Sequence, residues 1–418
     1  MASASTPVKY QYVVRDVRCG DENERPLLSV SIFKGIVPRS ELTDKAARAD
    51  DLSGYKLVDA GDIVVNRMSA YQGALGIARQ DGIVSPEYIV LRSRPSAEAR
   101  FLAYLFKSSL FVGQMALRVR GIGSTEQGNV RTPRINPEDL GNIPVTMPAL
   151  GEQRAIADFL DRETARIDAL IAAKRRMIEG SVWRLEAERA EVVSVGLSRK
   201  VPRPTGHPFF PHIPEGWRLR TLGSTTQPGR PIVYGIVQPG PEVESGVRYV
   251  KTGDLPDLDE SRISRTSPEI AAAYHRAALR TGDIVVAMRA SIGTCAVTPP
   301  WLEGGNLTQG TARVAPGRDV DRSWLVHVLR SHPMKEQMLY RSVGTTYQTL
   351  NIADLRKITL PVPPPEEQRV IAEHLDGEEA RHVALSTSLS LSIDLLGERR
   401  SALITAAVTG ELDVGVAA

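Results

Sequence analysis

Each half of the chain begins with short apolar runs typical of strands and continues with apolar residues at helical spacing. In the first half, short apolar runs between turn residues predict strands at 28–32, 62–65 and 88–91. From 99 to 117 the apolar residues fall at helical spacing instead, which predicts a helix. A polar passage rich in glycine then extends from 118 to 136 and predicts a long surface loop.

A much longer helical pattern follows the proline-rich segment 143–148. It begins near Gly151 and keeps a narrow apolar stripe to about residue 197, with Gly180 as the point where a kink is expected. The sequence at the start of this helix occurs a second time later in the chain. Between 151–170 and 366–385, aligned without a gap, 12 of 20 positions are identical. Such identity indicates internal duplication.

The second half repeats the first in the same order. Residues 282–286 repeat the pattern of 61–65, and 247–250 and 311–314 are also predicted strands. A predicted helix at 323–338 precedes a polar loop at 342–348 and a second proline-rich segment at 360–365. The composition of 201–208 is typical of a linker.

This order predicts four consecutive parts of the chain. They are a first domain at 1–149, a long connector helix at 150–200, a second domain at 201–365, and a second long helix with the C-terminal tail at 366–418. The predicted class is α+β, with two similar mixed α/β domains separated by a pair of long antiparallel coiled-coil helices. Neither helix can bury its stripe alone, so we expect them to pair about a pseudo-twofold axis, with the domains at opposite ends.

Composition narrows the class of protein. The 418 residues are 42% hydrophobic and 24% charged, and the length suits two or three domains. No apolar run approaches the length of a membrane helix. The two cysteines, Cys19 and Cys295, are expected to be reduced thiols of a cytoplasmic protein. A net charge of +3 permits nucleic-acid binding without arguing for it.

The sequence lacks the motifs of common catalytic sites. No Gly-Lys dipeptide occurs, which excludes a P-loop lysine, and no His-Glu-x-x-His pair occurs. Asp257, Asp259 and Glu260 have ligand chemistry for a metal, although a solvated acidic turn is the preferred interpretation. We therefore predict no catalytic residue and no metal site.

The two polar loops are instead rich in groups that contact DNA. Arginine, asparagine and glutamine make paired contacts with guanine and adenine, while serine and threonine commonly hold phosphates. A single such residue is more often solvated, but two such loops at matching places in two repeats favour nucleic-acid contact. The predicted DNA-binding residues are Arg67, Gln72, Arg118, Arg120, Ser124, Thr125, Asn129, Arg131, Arg289, Asn306, Gln309, Thr345, Thr346, Tyr347 and Gln348.

With these residues in hand, the chain resembles the specificity subunit of type I restriction-modification systems. The resemblance covers essentially the whole chain and is carried by the proline-rich leads into Glu152-Gln153-Arg154 and Glu367-Gln368-Arg369. It extends to the motifs Ile213-Pro214-Glu215-Gly216-Trp217, Asn306-Leu307-Thr308-Gln309-Gly310 and Ala406-Ala407-Val408-Thr409-Gly410.

The resemblance implies a noncatalytic DNA reader in which each domain reads half of a split sequence. It also implies two modification (methyltransferase) subunits docked on the paired helices, and restriction (motor-nuclease) subunits. No cofactor is expected in this chain, while S-adenosylmethionine, ATP and Mg are expected in the partner subunits. A protein scaffold with two binding domains remains the alternative. A self-sufficient nuclease or methyltransferase is disfavoured by the missing motifs.

Overall fold

The computed structural model divides into two compact units and describes residues 5–20, 25–31, 35–43, 52, 54–119, 134–198, 200–344 and 348–415. Unit 1 comprises Met1–Arg175 with Ser390–Ala418, and unit 2 comprises Arg176–Leu389. Each unit therefore contains one mixed domain and a part of each long helix.

In its described residues, unit 1 contains a four-stranded antiparallel sheet and three short helices. Its strands are β1 (Thr6–Pro7), β2 (Tyr12–Arg15), β3 (Leu28–Ser31), β4 (Gly35–Pro38), β5 (Lys56–Val58), β6 (Ile63–Asn66), β7 (Leu75–Ile77), β8 (Gly82–Val84), β9 (Tyr88–Ser93) and β10 (Pro144–Val145). Its short helices are α1 (Ala99–Lys107), α2 (Ser109–Ala116) and α3 (Pro137–Gly141). The main sheet has the order β2-β9-β6-β7, and β3-β4, β5-β8 and β1-β10 form antiparallel pairs.

Unit 2 repeats this arrangement. Its strands are β11 (Pro202–Pro204), β12 (His212–Pro214), β13 (Arg218–Thr221), β14 (Val233–Tyr234), β15 (Val247–Val250), β16 (Arg265–Thr266), β17 (Ile284–Ala287), β18 (Cys295–Val297), β19 (Asn306–Leu307), β20 (Thr311–Val314) and β21 (Thr359–Val362). Its short helices are α5 (Pro268–Ala273), α6 (Arg322–Arg330), α7 (His332–Tyr340) and α8 (Ile352–Lys357). The sheet order β14-β20-β17-β18 matches that of unit 1 strand for strand, and β15 lies between β16 and β19 in a smaller sheet.

The central strands are apolar without alternation because both faces of each sheet are covered. In β6, Ile63 and Val65 join the core beneath α1 and α2, whereas Val64 faces a second core that includes Leu28 and Val58. In β17, Ile284 and Val286 likewise face one core, and Val285 faces another. The predicted strands at 62–65 and 282–286 are thus confirmed.

Each helix predicted between strand region and loop is in fact two helices. At Ser108 the backbone is extended, and its hydroxyl accepts a hydrogen bond from the amide of Phe111, which caps α2. Ser331 has the same extended conformation between α6 and α7, and Pro333 follows in the first turn of α7. The single helices predicted at 99–117 and 323–338 are therefore wrong, because helical period does not reveal a serine that ends one helix and begins another.

The predicted linker at 201–208 is also corrected. Residues Pro202–Pro204 form β11, which pairs antiparallel with β12. The proline-rich composition predicted an irregular linker. Proline has no backbone N–H to donate, but it is tolerated in a short strand at the edge of a sheet.

The two long helices are α4 (Leu150–Val195) and α9 (Pro365–Thr409), of 46 and 45 residues. In unit 2, Ser181 contacts His382 at 2.9 Å and Glu188 contacts His374 at 2.8 Å. Residue numbers therefore increase along α4 in the direction in which they decrease along α9. The predicted antiparallel pairing is confirmed within this unit. Gly180 is helical and does not end α4.

Unit 1 shows the same pairing between the other parts of these helices. Ile404, Ala407 and Val408 of α9 share a core with Ile156 and Leu160 of α4. An ion pair of 3.0 Å joins Arg400 to Asp168 farther along, so the antiparallel direction holds here too.

Candidate nucleic-acid interface

A buried glutamine at the start of each long helix fixes the domain helix beside it. The carboxamide oxygen of Gln153 accepts a hydrogen bond of 2.9 Å from the amide of Glu98, at the N-terminus of α1. Gln368 accepts one of 2.7 Å from the amide of Asp321, at the N-terminus of α6. Each glutamine also donates to the proline carbonyl five positions earlier, at 2.8 and 2.9 Å. These contacts satisfy helix-end groups that would otherwise be orphaned.

A second repeated contact lies two turns farther along each long helix. Asp161 accepts a hydrogen bond of 2.7 Å from the hydroxyl of Tyr104, and Asp376 contacts Nε2 of His327 at 2.8 Å. Burial lowers the pKa of His327, although the hydrogen bond to Asp376 opposes that shift. The repeated Leu-Asp motif thus ties each domain helix to its long helix.

The turn before each central strand contains a buried aspartate that binds arginine. Asp62 accepts from Arg15 at 2.6 Å and from Arg92 at 2.8 Å, whereas Asp283 binds both terminal nitrogens of Arg230 at 2.7 and 2.6 Å. The neighbouring Asp59 has its pKa held well below the usual range by Arg92, and then by Arg25. The aspartate of the repeated Gly-Asp pair therefore anchors an arginine in both repeats.

The segment that leaves each polar loop is attached to the end of the central strand by an equivalent backbone bond. In unit 1 the amide of Ile135 donates to the carbonyl of Arg67 at 3.0 Å, and in unit 2 the amide of Leu350 donates to that of Met288 at 2.8 Å. The guanidinium of Arg67 also donates to Asn136 Oδ1 at 2.9 Å. Arg67 is partly buried and serves as a clamp at the loop exit.

Eight of the predicted contact residues lie outside the described residues. These are Arg120, Ser124, Thr125, Asn129, Arg131, Thr345, Thr346 and Tyr347. Their assignment to DNA stays a prediction.

Three other predicted residues of unit 2 are brought together by the backbone at the loop base. Arg289 and Thr349 form an antiparallel bridge, and the exposed Gln348 immediately precedes Thr349 in the chain; Arg289 is exposed too. The amide of Met288 donates to the carbonyl of Gly310 at 2.9 Å, so the partly buried Gln309 belongs to the same surface. We call Arg289, Gln309 and Gln348 the unit 2 polar surface.

The expectation for Asn306 is corrected. Its side chain is 2% exposed, and its amide nitrogen donates to the carbonyl oxygen of Tyr274 at 3.3 Å. The side-chain oxygen accepts from the amide of Leu307 at 2.9 Å. The side chain of Asn306 therefore hydrogen-bonds within the domain core and is not available to DNA, because a buried amide must be satisfied by protein groups.

In unit 1, Gln72 is exposed in a short turn that follows the central strand. Arg118 is partly buried just beyond α2, and its guanidinium donates to Gln114 Oε1 at 2.6 Å on the preceding turn of helix. This contact holds Arg118 at the point where the described part of the loop begins.

Sequence reasoning missed a pair of exposed apolar residues at matching positions. Counted from the capping residues Ser108 and Ser331, Leu117 corresponds to Tyr340, and each side chain is 80% exposed. In both repeats an arginine follows, Arg118 in unit 1 and Arg341 in unit 2. A comparison of the two repeats could have found them, because a large apolar residue followed by arginine stands immediately before each polar loop.

Metal and thiol chemistry add little to this site. Among described residues, the ligand atoms of Glu188, His374 and Glu378 lie within 4.8 Å of one another, but Glu188 already binds His374 at 2.8 Å. In the predicted acidic turn, Asp257 and Asp259 both pair with a neighbouring arginine. Both cysteines are buried and unpaired.

The chain belongs to the family described as the type I restriction modification DNA specificity domain. The family model matches residues 46–179 and again 242–391, once in each repeat. The resemblance found in the sequence is thereby confirmed. The type I restriction enzyme EcoBI specificity subunit of Escherichia coli is 24% identical over 292 residues. That match spans 68% of this chain and 61% of the relative's length.

Solved structures show the same fold. One chain from work on complex assembly and conformational transition of the type I R-M system gives a TM-score of 0.72 at 19% identity, covering 98% of both chains. The HsdS subunit from Thermoanaerobacter tengcongensis gives 0.53 at 20% identity, covering 98% of this chain and 97% of that one. No helix in the part of our chain that the structure describes is long and apolar enough to span a membrane.

Proposed function

We propose that this chain is the sequence-specific DNA-binding specificity subunit of a type I restriction-modification complex. Each unit reads one half of a bipartite target. The observation that carries the proposal is the repeated loop base: the backbone bonds at Ile135 and Leu350 hold two donor-rich loops at equivalent places in two similar domains. Family membership in both repeats supports it.

The unit 2 polar surface has the chemistry that such reading needs. The guanidinium of Arg289 and the amide of Gln348 are exposed, and their backbone positions are fixed by the bridge at Thr349. Arginine pairs with guanine and glutamine with adenine in the major groove. A rigid backbone reduces the ordering cost of making those contacts.

The exposed apolar residues add a second type of contact. Leu117 and Tyr340 stand at the edges of the two loops with most of each side chain exposed, and one edge of the Tyr340 ring packs against Phe209. A duplex offers thymine methyl groups and sugar carbons as partners for such side chains. We therefore assign Leu117 and Tyr340 to van der Waals contact with DNA, one per half-site.

The long helices are proposed to dock two modification subunits, with restriction subunits joining the assembly. In this scheme the chain itself is noncatalytic, and S-adenosylmethionine, ATP and Mg belong to the partner subunits. The repeated carboxylates support this role, because Asp62, Asp283, Asp161 and Asp376 are all engaged in holding the fold.

Mapping of methylated bases tests the proposal directly. The chain would be expressed with its cognate modification subunit, and methyladenine located across a host genome by long-read sequencing. We expect one split adenine motif that disappears when the gene for this chain is deleted. Persistence of that motif in the deletion strain, with the modification subunit still produced, would refute the proposal.

A binding experiment separates DNA reading from the scaffold alternative. The complex with the modification subunit would be titrated with duplex carrying the split motif between 50 and 200 mM salt. Phosphate contacts release counterions, so affinity should fall by about 10³-fold or more across this range. A scaffold that binds only proteins would retain no DNA even at the lowest salt.

A further inference from the structure

Unit 1 contains a pocket of about 510 Å³ between strands β4 and β7, helix α1 and the two long helices. Four cationic side chains line it, against two carboxylates. The cations are Arg79, Arg100, Lys107 and Arg400, and the carboxylates are Asp161 and Asp168. The lining therefore has an excess of positive charge.

Two of these cations are already neutralised. Arg100 binds Asp158 at 2.7 Å and Asp161 at 2.8 Å, and Arg400 pairs with Asp168 at 3.0 Å. Within the described ranges, Lys107 and Arg79 make no hydrogen bond or ion pair. Lys107 is also partly buried, and burial lowers the pKa of its amine to about 8. Its ammonium group thus loses hydration without gaining a hydrogen bond or ion pair in the described chain. Asp168 attracts it and Arg400 repels it, and these two residues are already paired with each other.

The other repeat provides an internal comparison. Counted from Ser108 and Ser331, Lys107 corresponds to Arg330, and Arg330 donates to Glu379 at 3.1 Å. Counted from the two helix starts, Glu379 corresponds to Thr164. Thr164 is 4% exposed, and its hydroxyl donates to its own helix at 2.6 Å. Unit 2 neutralises its cation with a built-in carboxylate, whereas unit 1 has the cation and lacks the carboxylate.

We propose that the unit 1 pocket binds a small phosphate-bearing anion, with Lys107 and Arg79 as its ligands and Thr164 leaving the space that Glu379 fills in unit 2. A dianionic phosphate group supplies the acceptor oxygens that the Lys107 ammonium lacks. The pocket has room for more than a bare phosphate ion. The ligand class is therefore a free phosphate or a small phosphate ester.

Phosphate titration of the full chain tests this proposal. Calorimetry and thermal unfolding would be followed with increasing inorganic phosphate at pH 7, with chloride adjusted to hold ionic strength constant. We expect saturable binding and a Tm that rises with phosphate, because a ligand that binds the folded state stabilises it. A parallel titration with deoxyadenosine monophosphate measures whether an ester is accepted as well.

Two variants assign the site. Lys107→Met removes the ammonium while keeping most of the side-chain volume, and Thr164→Glu supplies the carboxylate that unit 2 has. Each should weaken phosphate binding at least tenfold. Lys174→Met, a matched charge removal on α4 away from the pocket lining, should leave it unchanged. Thr164→Glu is an independent test of the site, since it keeps Lys107 in place and removes no ion pair of the parent chain.

Several results would overturn the proposal. Equal phosphate binding by the parent chain and Thr164→Glu would show that the anion binds elsewhere. A weak effect without saturation would show general ion binding. Lys107-dependent binding of an unrelated DNA duplex, with no effect of phosphate or the monophosphate, would assign the pocket to the DNA backbone instead.

Discussion

The side-chain oxygen of Gln368 accepts a hydrogen bond of 2.7 Å from the backbone amide of Asp321, 47 positions earlier in the chain. Gln368 is 0% exposed, so both ends of its amide are satisfied by protein. Its twin Gln153 binds Glu98 in the same way in unit 1. The repeated Glu-Gln-Arg motif therefore joins a recognition domain to a long helix.

Gln368→Ala should destabilise unit 2 by about 2–3 kcal/mol, because it leaves a buried amide and a buried carbonyl without partners. Chemical denaturation monitored by tryptophan fluorescence would measure the loss. Glu366→Ala, at an exposed position two residues earlier, should change stability by less than about 0.5 kcal/mol. Equal effects of the two changes would contradict the anchoring role.

His327 should make unit 2 sensitive to mild acid. Its pKa is lowered from 6.5, chiefly by burial, against the pull of Asp376 and Glu379 and with Arg189 adding to the shift. The unfolded chain then binds the proton first, so stability is full above about pH 6.5 and declines as pH falls below it. His327→Gln should flatten this decline in denaturation curves measured from pH 7.5 to pH 5. An unchanged slope would exclude His327 as its source.

Recognition variants should each affect one half of the DNA target. Arg289→Ala or Gln348→Ala should alter methylation only at the half read by unit 2, and Arg118→Ala or Arg131→Ala only at the other half. Each lost base contact should cost about 1–3 kcal/mol. Methylome sequencing of variant strains measures this, with the exposed Arg175→Ala as the control. Loss of specificity at both halves from one change would refute the assignment of loops to half-sites.

Asn306 should behave as a core residue and not as a base reader. Asn306→Ala removes hydrogen bonds to the carbonyl of Tyr274 and the amide of Leu307, and should destabilise unit 2 by about 1–3 kcal/mol. Among the strains that still methylate, the motif should be the parent motif. A stable variant with a changed motif would restore the original expectation for this residue.

Lys107→Met should stabilise unit 1 at pH 7 in phosphate-free buffer, on the order of 1–3 kcal/mol. The folded-state pKa of Lys107 is about 8, below its ordinary value of 10.5, so the charged amine opposes folding at neutral pH. This penalty fades as pH rises from about 8 to 10.5, and the parent chain should gain stability over that range relative to the variant. The free energy of unfolding of both proteins would be measured by denaturation from pH 7 to pH 10.5. A constant difference between parent and variant over this range would contradict the prediction.

Local pattern was sufficient for the elements whose signal lies within a few neighbouring residues. The apolar runs at 62–65 and 282–286 are central strands, because continuous apolar character is what two covered faces require. It failed at Ser108 and Ser331, since the helical period continues across both serines while the backbone at each is extended, so that one helix ends there and another begins. Local pattern also could not predict the contacts at the base of each loop, because Arg67 and Ile135 are 68 positions apart in the chain.

The sequence by itself determined the duplication, the two long helices, the family and the donor-rich character of both loops, because each of these is a repeated or periodic pattern. Tertiary structure alone decided which polar residues are anchors. Gln153, Gln368 and Asn306 are all buried, and only the structure gives the partner of each side chain. Burial and pairing depend on groups about 30 to 55 positions away. No local pattern therefore records that Arg330 donates a hydrogen bond to a carboxylate, whereas Lys107 makes no hydrogen bond or ion pair in the described chain.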